Sequence, residues 1–197
     1  AFEKAKGFPK SLVKQMAERG FLGAAIPEKY GGLGMDPVTY GFFTQEIGKG
    51  CSSVRSLITV HTSLVSQSIL RWGTDTQKEE LLGDLARGYK IAAFALSEPN
   101  IGSDARNVET TYTKKDGNFY LNGTKKWITC AAIADVILVI AADEGKVSAF
   151  LVDTDSPGVE ITPIDGMMAA KASHIAQIKL TDVVVPEDRL LGVEGGG

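Results

Sequence analysis

A chain of 197 residues, 44% hydrophobic and 23% charged, can bury a core as one large domain or two small ones. Its formal net charge of −3 argues against a dominant electrostatic attraction to nucleic acid or an anionic membrane. Apolar runs such as residues 136–142 are too short to span a bilayer, no signal peptide is visible, and two cysteines make no disulfide framework. Cys51, Cys130, His61 and His174 could in principle supply zinc ligands, but their scatter argues against it. A reduced, cytoplasmic protein is the expectation.

The first part of the chain reads as helices. Phe8-Pro9-Lys10-Ser11 opens a short amphipathic helix that Gly20 stops. Residues 21–27 are apolar and end at Pro27, which suggests a buried extended connector. Lys29-Tyr30-Gly31-Gly32-Leu33-Gly34 lacks the glycine spacing of a dinucleotide fingerprint and reads as a structural loop. Asp36 as N-cap and Pro37 at the first helical position predict a helix to about residue 48 or 50. Ser52 or Ser53 is expected to cap the next helix, which runs to about Trp72 with Val54, Leu57, Ile58, Leu64, Val65 and Ile69 as its apolar stripe. Another face of that helix carries Arg55, Thr59, Thr62 and Ser66, small hydroxyls below one cation. A cation near a helix N-terminus opposes the dipole, so Arg55 serves either a partner anion or ordinary solvation. Thr74 and Thr76 begin a further helix, with Leu81, Leu82 and Leu85 inward, that ends at Gly88.

After residue 88 the period changes to that of strands. Residues 91–96 read as a strand, and Ser97-Glu98-Pro99-Asn100 ends it, because Pro99 has no N–H. The loop from Ser97 to Asp104 is a ligand-holding loop rich in main-chain donors or merely a capped strand exit. Strands are predicted at 108–114 and 119–121 around the Asp116-Gly117 hairpin, and Asn122-Gly123 is a second turn or bulge signal. Further strands follow at 135–142, 147–152, 159–163, 175–180 and 183–185. Trp127-Ile128-Thr129 offers a flat aromatic face and a hydroxyl, suited to a conjugated ring or to a core Trp beside a bonded Thr. The predicted architecture is α+β: a helical domain over 1–88, then an antiparallel β-barrel or sandwich over 89–197.

Two of these stretches together, Ser97-Glu98-Pro99-Asn100-Ile101-Gly102-Ser103-Asp104 and Leu121-Asn122-Gly123-Thr124-Lys125-Lys126-Trp127-Ile128-Thr129, resemble the acyl-CoA dehydrogenase family. The segments Pro27–Gly32, Asp153–Gly158, Val184-Val185-Pro186 and the terminal glycines are similar to further family segments. The resemblance implies FAD held against the β-domain by Phe94, Leu96, Ser97, Trp127, Ile128 and Thr129, with Gly102 and Ser103 where flavin and acyl carrier group meet. Ser97 stands where Thr is commoner and Asn100 where Gly is commoner. The implied activity is α,β-oxidation of an acyl thioester on CoA or acyl carrier protein, with electron-transfer flavoprotein or another acceptor taking the electrons. The family's third, helical domain carries the catalytic base and much of the oligomer surface, so the chain is expected to be a fragment of a protein that is a homo-oligomer when full length. No catalytic residue is assigned within it.

Cys51-Ser52-Ser53-Val54-Arg55-Ser56 resembles members acting on carboxylated acyl groups, such as glutaryl-CoA dehydrogenases, and those oxidising acyl groups on carrier protein. The resemblance makes Arg55 the partner of a distal carboxylate, with Thr59 assisting and Ser103 also at the substrate. A flavin oxidase or monooxygenase on the same scaffold, and a non-enzymatic binding or assembly module, are the alternatives.

Overall fold

Asp36 accepts hydrogen bonds from the Val38 and Thr39 N–H groups at 2.9 and 3.2 Å, and so starts a helix at Pro37 as its side chain predicts. This is one of six α-helices in the computed structural model, which describes residues 2–197. They are α1 (Phe2–Ala5), α2 (Lys10–Glu18), α3 (Pro37–Gly50), α4 (Ser52–Ile58), α5 (Gln67–Trp72) and α6 (Asp75–Ala86). Thr74 caps α6 in a full capping box with Gln77. The cap of α4 is Cys51, not Ser52 or Ser53, and it makes no side-chain cap bond. The Ser53 hydroxyl is turned instead to the Glu3 carboxylate.

The chain folds into two compact units, residues 1–92 with 165–174, and residues 93–164 with 175–197. In the first, Leu57, Ile58, Val65 and Ile69 pack in a core with Leu81, Leu82 and Leu85, all fully buried. Segment 165–174 belongs to this unit. The Lys171 N–H donates to Glu3 at 2.8 Å, and the His174 ring lies edge-on to Phe8, 4.6 Å between centroids.

Two helical expectations change. Residues 21–27 are buried but not extended: Phe21–Gly23 form a 3₁₀ turn, and Leu22, Ala24 and Ile26 are fully buried. An extended segment here would need a strand partner for its buried amides; the turn supplies local ones, such as Ile26 N–H to Gly23 O at 3.0 Å. The chain then doubles back so closely that a Cβ on Gly32 would sit 2.0 Å from the Ile26 carbonyl oxygen, which explains the glycine-rich loop. Between α4 and α5 the helix widens into a π-helix over Thr59–Ser66. The i→i+5 spacing rotates the following side chains away from a 3.6-residue stripe. Leu64 is therefore 40% exposed, while Thr62 and Ser66 are buried and bonded to the Leu22 and His61 carbonyls at 2.9 and 2.7 Å. The hydroxylated face read from the sequence stops at Thr59.

The second unit is one eight-stranded sheet. Its strands are β1 (Ala92–Ala95), β2 (Thr111–Lys115), β3 (Asn118–Ile128), β4 (Val136–Asp143), β5 (Lys146–Asp153), β6 (Val159–Pro163), β7 (Ala176–Pro186) and β8 (Leu190–Leu191). The order is β6-β7-β3-β2-β4-β5-β8, with β1 paired to β4. Helices precede strands as expected, but β2 and β4 pair in parallel and the sheet does not close into a barrel. Asp116 and Gly117, both at positive φ, close the β2–β3 hairpin as a two-residue primed turn. Asn122-Gly123 is not a turn. It lies inside β3 opposite a bulge in β7, where the Asn122 side chain exchanges two 2.9 Å bonds with Asp182. The sheet's core is an aromatic triad of Tyr112, Phe119 and Phe150, with centroids 5.0 to 5.7 Å apart.

His61 joins the π-helix to its neighbours. Its Nδ1 accepts the Ala92 N–H at 3.0 Å, so Nε2 carries the proton and donates to the Leu85 carbonyl at 3.0 Å. Burial lowers its pKa from 6.5 to about 4. The unfolded chain thus binds a proton between those values that the folded chain does not, so this stabilisation is complete above pH 6.5 and is lost as pH falls toward 4. The shift corresponds to about 3 kcal/mol. Chemical denaturation across this range should show that loss, and His61→Gln should be less stable at pH 7 and flatten the dependence.

Candidate functional site

The exit of β1 and the far end of β3 come together in the β-unit. Ala93 and Ala95 of β1 face the core and are fully buried; Phe94 and Leu96 alternate with them and are only half-buried. The chain leaves the sheet after Leu96 and is tied to β3 at successive residues. Lys125 Nζ donates to the Leu96 carbonyl at 3.1 Å, and the Lys126 N–H donates to the Ser97 carbonyl at 2.9 Å. The Glu98 carboxylate meets Lys125 Nζ at 2.6 Å.

This ion pair is buried, with side-chain exposures of 0% for Lys125 and 1% for Glu98. Glu98 also accepts the Glu109 and Thr110 N–H groups at 2.5 and 2.9 Å. Burial pushes the Glu98 carboxyl up, but Lys125 and these N–H donors outweigh it and hold the group below its ordinary range. Burial likewise pulls the Lys125 ammonium below its usual value, with Glu98 opposing. Removing one partner alone would leave a buried charge and cost about 3–5 kcal/mol.

Just beyond Lys125, β3 carries an extra residue relative to β7: Lys125 pairs with Ile178, and Ile128 with Ala176. Trp127 sits in this bulge at φ +65°. A bulky side chain at positive φ costs on the order of 1–3 kcal/mol and persists only where its surroundings impose it. Here the pairs on either side impose it, and the bulge re-aims the side chain. The Trp127 ring is 49% exposed rather than buried, so the core-Trp reading of the sequence does not hold. Ile128 points the other way, into the sheet core, and can offer a ligand only its main chain. Thr129 and Ser97 are half-buried, and among the described residues their hydroxyls have no protein partner. Gly102 and Ser103 are exposed on the loop, and a Cβ on Gly102 would meet nothing within 4 Å.

Arg55 and Thr59 belong to the helical unit. Arg55 is exposed, and its stem passes over α3, where a Cβ on Gly48 would lie 3.6 Å from Arg55 Cγ. The Thr59 hydroxyl donates back to the Arg55 carbonyl at 3.0 Å. Beside them, the Tyr40 hydroxyl accepts from Ser63 at 2.9 Å and donates to the Ile58 carbonyl at 3.3 Å, and burial raises its pKa. Tyr40, Ser63, Glu98 and Lys125 were not singled out from the sequence. The positions of Glu98 and Lys125 in the two paired motifs were the signal available for that pair.

Residues 1–89 match the acyl-CoA dehydrogenase N-terminal domain, and residues 93–183 match the middle domain. The chain belongs to the acyl-CoA dehydrogenase family. An acyl-CoA dehydrogenase of Bacillus subtilis is 38% identical over 200 residues, covering 99% of this chain and 53% of that protein. A glutaryl-CoA dehydrogenase from Mycobacterium smegmatis in complex with FADH2 superposes with a TM-score of 0.94 at 35% identity, over 99% of this chain and 50% of that one. FkbI, for biosynthesis of the methoxymalonyl extender unit of a polyketide, superposes with a TM-score of 0.92 at 29% identity, over 98% and 54%. The chain spans about half the length of the curated relatives it matches.

Among the described residues, no helix is long and apolar enough to cross a membrane, and no group of His, Cys, Asp and Glu is placed to hold a metal. Cys130, which follows Thr129, is buried, and burial pushes its thiol up to about 12; Cys51 is half-buried. Titration with a thiol reagent in the native state should therefore modify Cys51 at most, with Cys130 reacting only after denaturation.

Proposed function

We propose that the chain is the N-terminal and middle part of an FAD-dependent acyl-thioester dehydrogenase. The observation that carries this reading is the exposed Trp127 ring, held out of the core by a strained bulge beside two unpartnered hydroxyls, in a chain of this family. These residues fit a flavin. Trp127 presents an aromatic face to a flat ring, while Ser97, Thr129 and the main chain at Ile128 offer hydrogen bonds at its polar edge. Phe94 and Leu96 add half-buried apolar surface on the outer side of β1. Gly102 and Ser103 lie on an open loop and are assigned to the junction of flavin and acyl carrier group.

When bound, FAD supplies hydride acceptance from the acyl β-carbon. The chain's own part is to orient the acyl group and to keep water from the reacting carbons. Removal of the α-proton is assigned to no residue of this chain. The thioester is carried by CoA or by an acyl carrier protein, and electrons pass to an electron-transfer flavoprotein or another acceptor. A homo-oligomer and a cytoplasmic location belong to the same reading.

Arg55 and Thr59 narrow the acyl group to a short, carboxylated one. A guanidinium on an exposed helix turn beside a small hydroxyl suits a carboxylate, which it can meet through two parallel bonds. The purified full-length protein should show a flavin absorption spectrum that a short acyl thioester bleaches under anaerobic conditions. Arg55→Leu should raise KM for a carboxylated thioester about tenfold or more, as expected for losing a charged hydrogen bond. An equal loss with a butyryl thioester would remove Arg55 from the substrate reading.

A further inference from the structure

We propose that the buried Lys125–Glu98 pair is the positioning element of the flavin site, beyond any part it has in stability. The proposal rests on the flavin reading above. The argument starts from what an ion pair does that an apolar pair does not. Hydrophobic residues of similar volume can replace a buried ion pair with little loss of stability where no other group depends on it. They could not donate to the Leu96 carbonyl or accept the Glu109 and Thr110 N–H groups, as Lys125 and Glu98 do. The pair's particular contribution is therefore directional.

Its direction is specific. The residues on either side of Ser97 are held by Lys125: Leu96 through its carbonyl and Glu98 through its carboxylate. The Ser97 carbonyl is held by the next residue of β3, through the Lys126 N–H. Trp127, which follows, occupies the bulge. The pair thus cross-links the two segments that carry the proposed flavin contacts, and it sets the Ser97 hydroxyl relative to the Trp127 ring. A second buried polar pair of the same unit, Ser148 donating to Tyr112 at 3.1 Å, is built from residues of β5 and β2 and bonds to neither segment.

The test uses the full-length protein and compares flavin affinity with stability of the apoprotein in four forms. Lys125→Met leaves the Glu98 carboxylate unpaired and should lose both stability and flavin. Lys125→Met with Glu98→Leu removes the buried charges and should recover the stability lost to the unpaired carboxylate, though not that of the Leu96, Glu109 and Thr110 main-chain bonds, yet FAD should still bind about tenfold or more weakly, with an altered visible spectrum. Ser148→Ala should lower stability and leave FAD binding unchanged. Glu98→Gln keeps the shape, replaces one acceptor oxygen with an NH₂, and should fold with weakened FAD binding; it decides the matter should the double variant fail to fold. A merely structural pair predicts that flavin affinity returns together with stability in the double variant. Wild-type affinity and spectrum in the double variant, or in Glu98→Gln, would overturn the proposal while leaving the flavin reading intact. A wild-type protein that neither carries FAD nor takes it up would overturn the flavin reading itself.

Discussion

Two opposite charges, on Lys125 and Glu98, lie 2.6 Å apart with almost no contact with solvent, and the local structure of the β-unit follows from keeping them satisfied. Neither charge tolerates a dry site alone. Lys125 is brought inward by β3, whose pairing with β7 sets it opposite the fully buried Ile178. Glu98 has to come to it, so the chain cannot wander after β1. The remaining carboxylate capacity is filled by the Glu109 and Thr110 N–H groups, which draws in the approach to β2 as well. Three segments of the chain, around residues 98, 110 and 125, are thereby joined at one buried polar knot. Such a knot is intolerant of partial loss, since each group that remains would be buried and unpaired.

The bulge at Trp127 depends on the same register. Lys125 must face inward to meet Glu98, and Ile128 must face inward to join the sheet core. In a regular strand, residues three apart face opposite sides. One inserted residue reconciles them, and Trp127 at φ +65° sits within that insertion. An aromatic ring left half-exposed at a backbone position of this energy is a poor choice for stability alone. It is a reasonable one for a surface that meets a flat ligand. The strain and the proposed function thus arise from one requirement, that Lys125 and Ile128 both reach the interior.

In the helical unit the corresponding device is the π-helix. Widening over Thr59–Ser66 turns Thr62 and Ser66 inward, where carbonyls accept their hydroxyls, and lets His61 bond at both ring nitrogens. The turn that carries Arg55 and Thr59 is left outward-facing above this buried polar layer. Side chains that look equivalent in a helical projection are in this way divided between the interior and the surface.

Features set by short-range chemistry were legible in the sequence. Asp36 and Thr74 cap their helices, Asp116-Gly117 forms its hairpin, and a strand precedes the exit at Ser97–Asn100. Each depends on a residue's own torsional or hydrogen-bonding preference and on near neighbours in the chain. The paired motifs also pointed to the family and to Ser97, Trp127 and Thr129 as residues of interest. What only the tertiary structure decided involves partners distant in sequence. The fates of Thr62 and Leu64 turn on a π-helix that no propensity announces, and the course of Asn122-Gly123 depends on a bulge in β7, not on its own turn preference. The pairing of Lys125 with Glu98 could not be read from either stretch, because a lysine and a glutamate in polar motifs look like surface residues. Only the packing of strands around them removes the water and makes each the other's necessary partner.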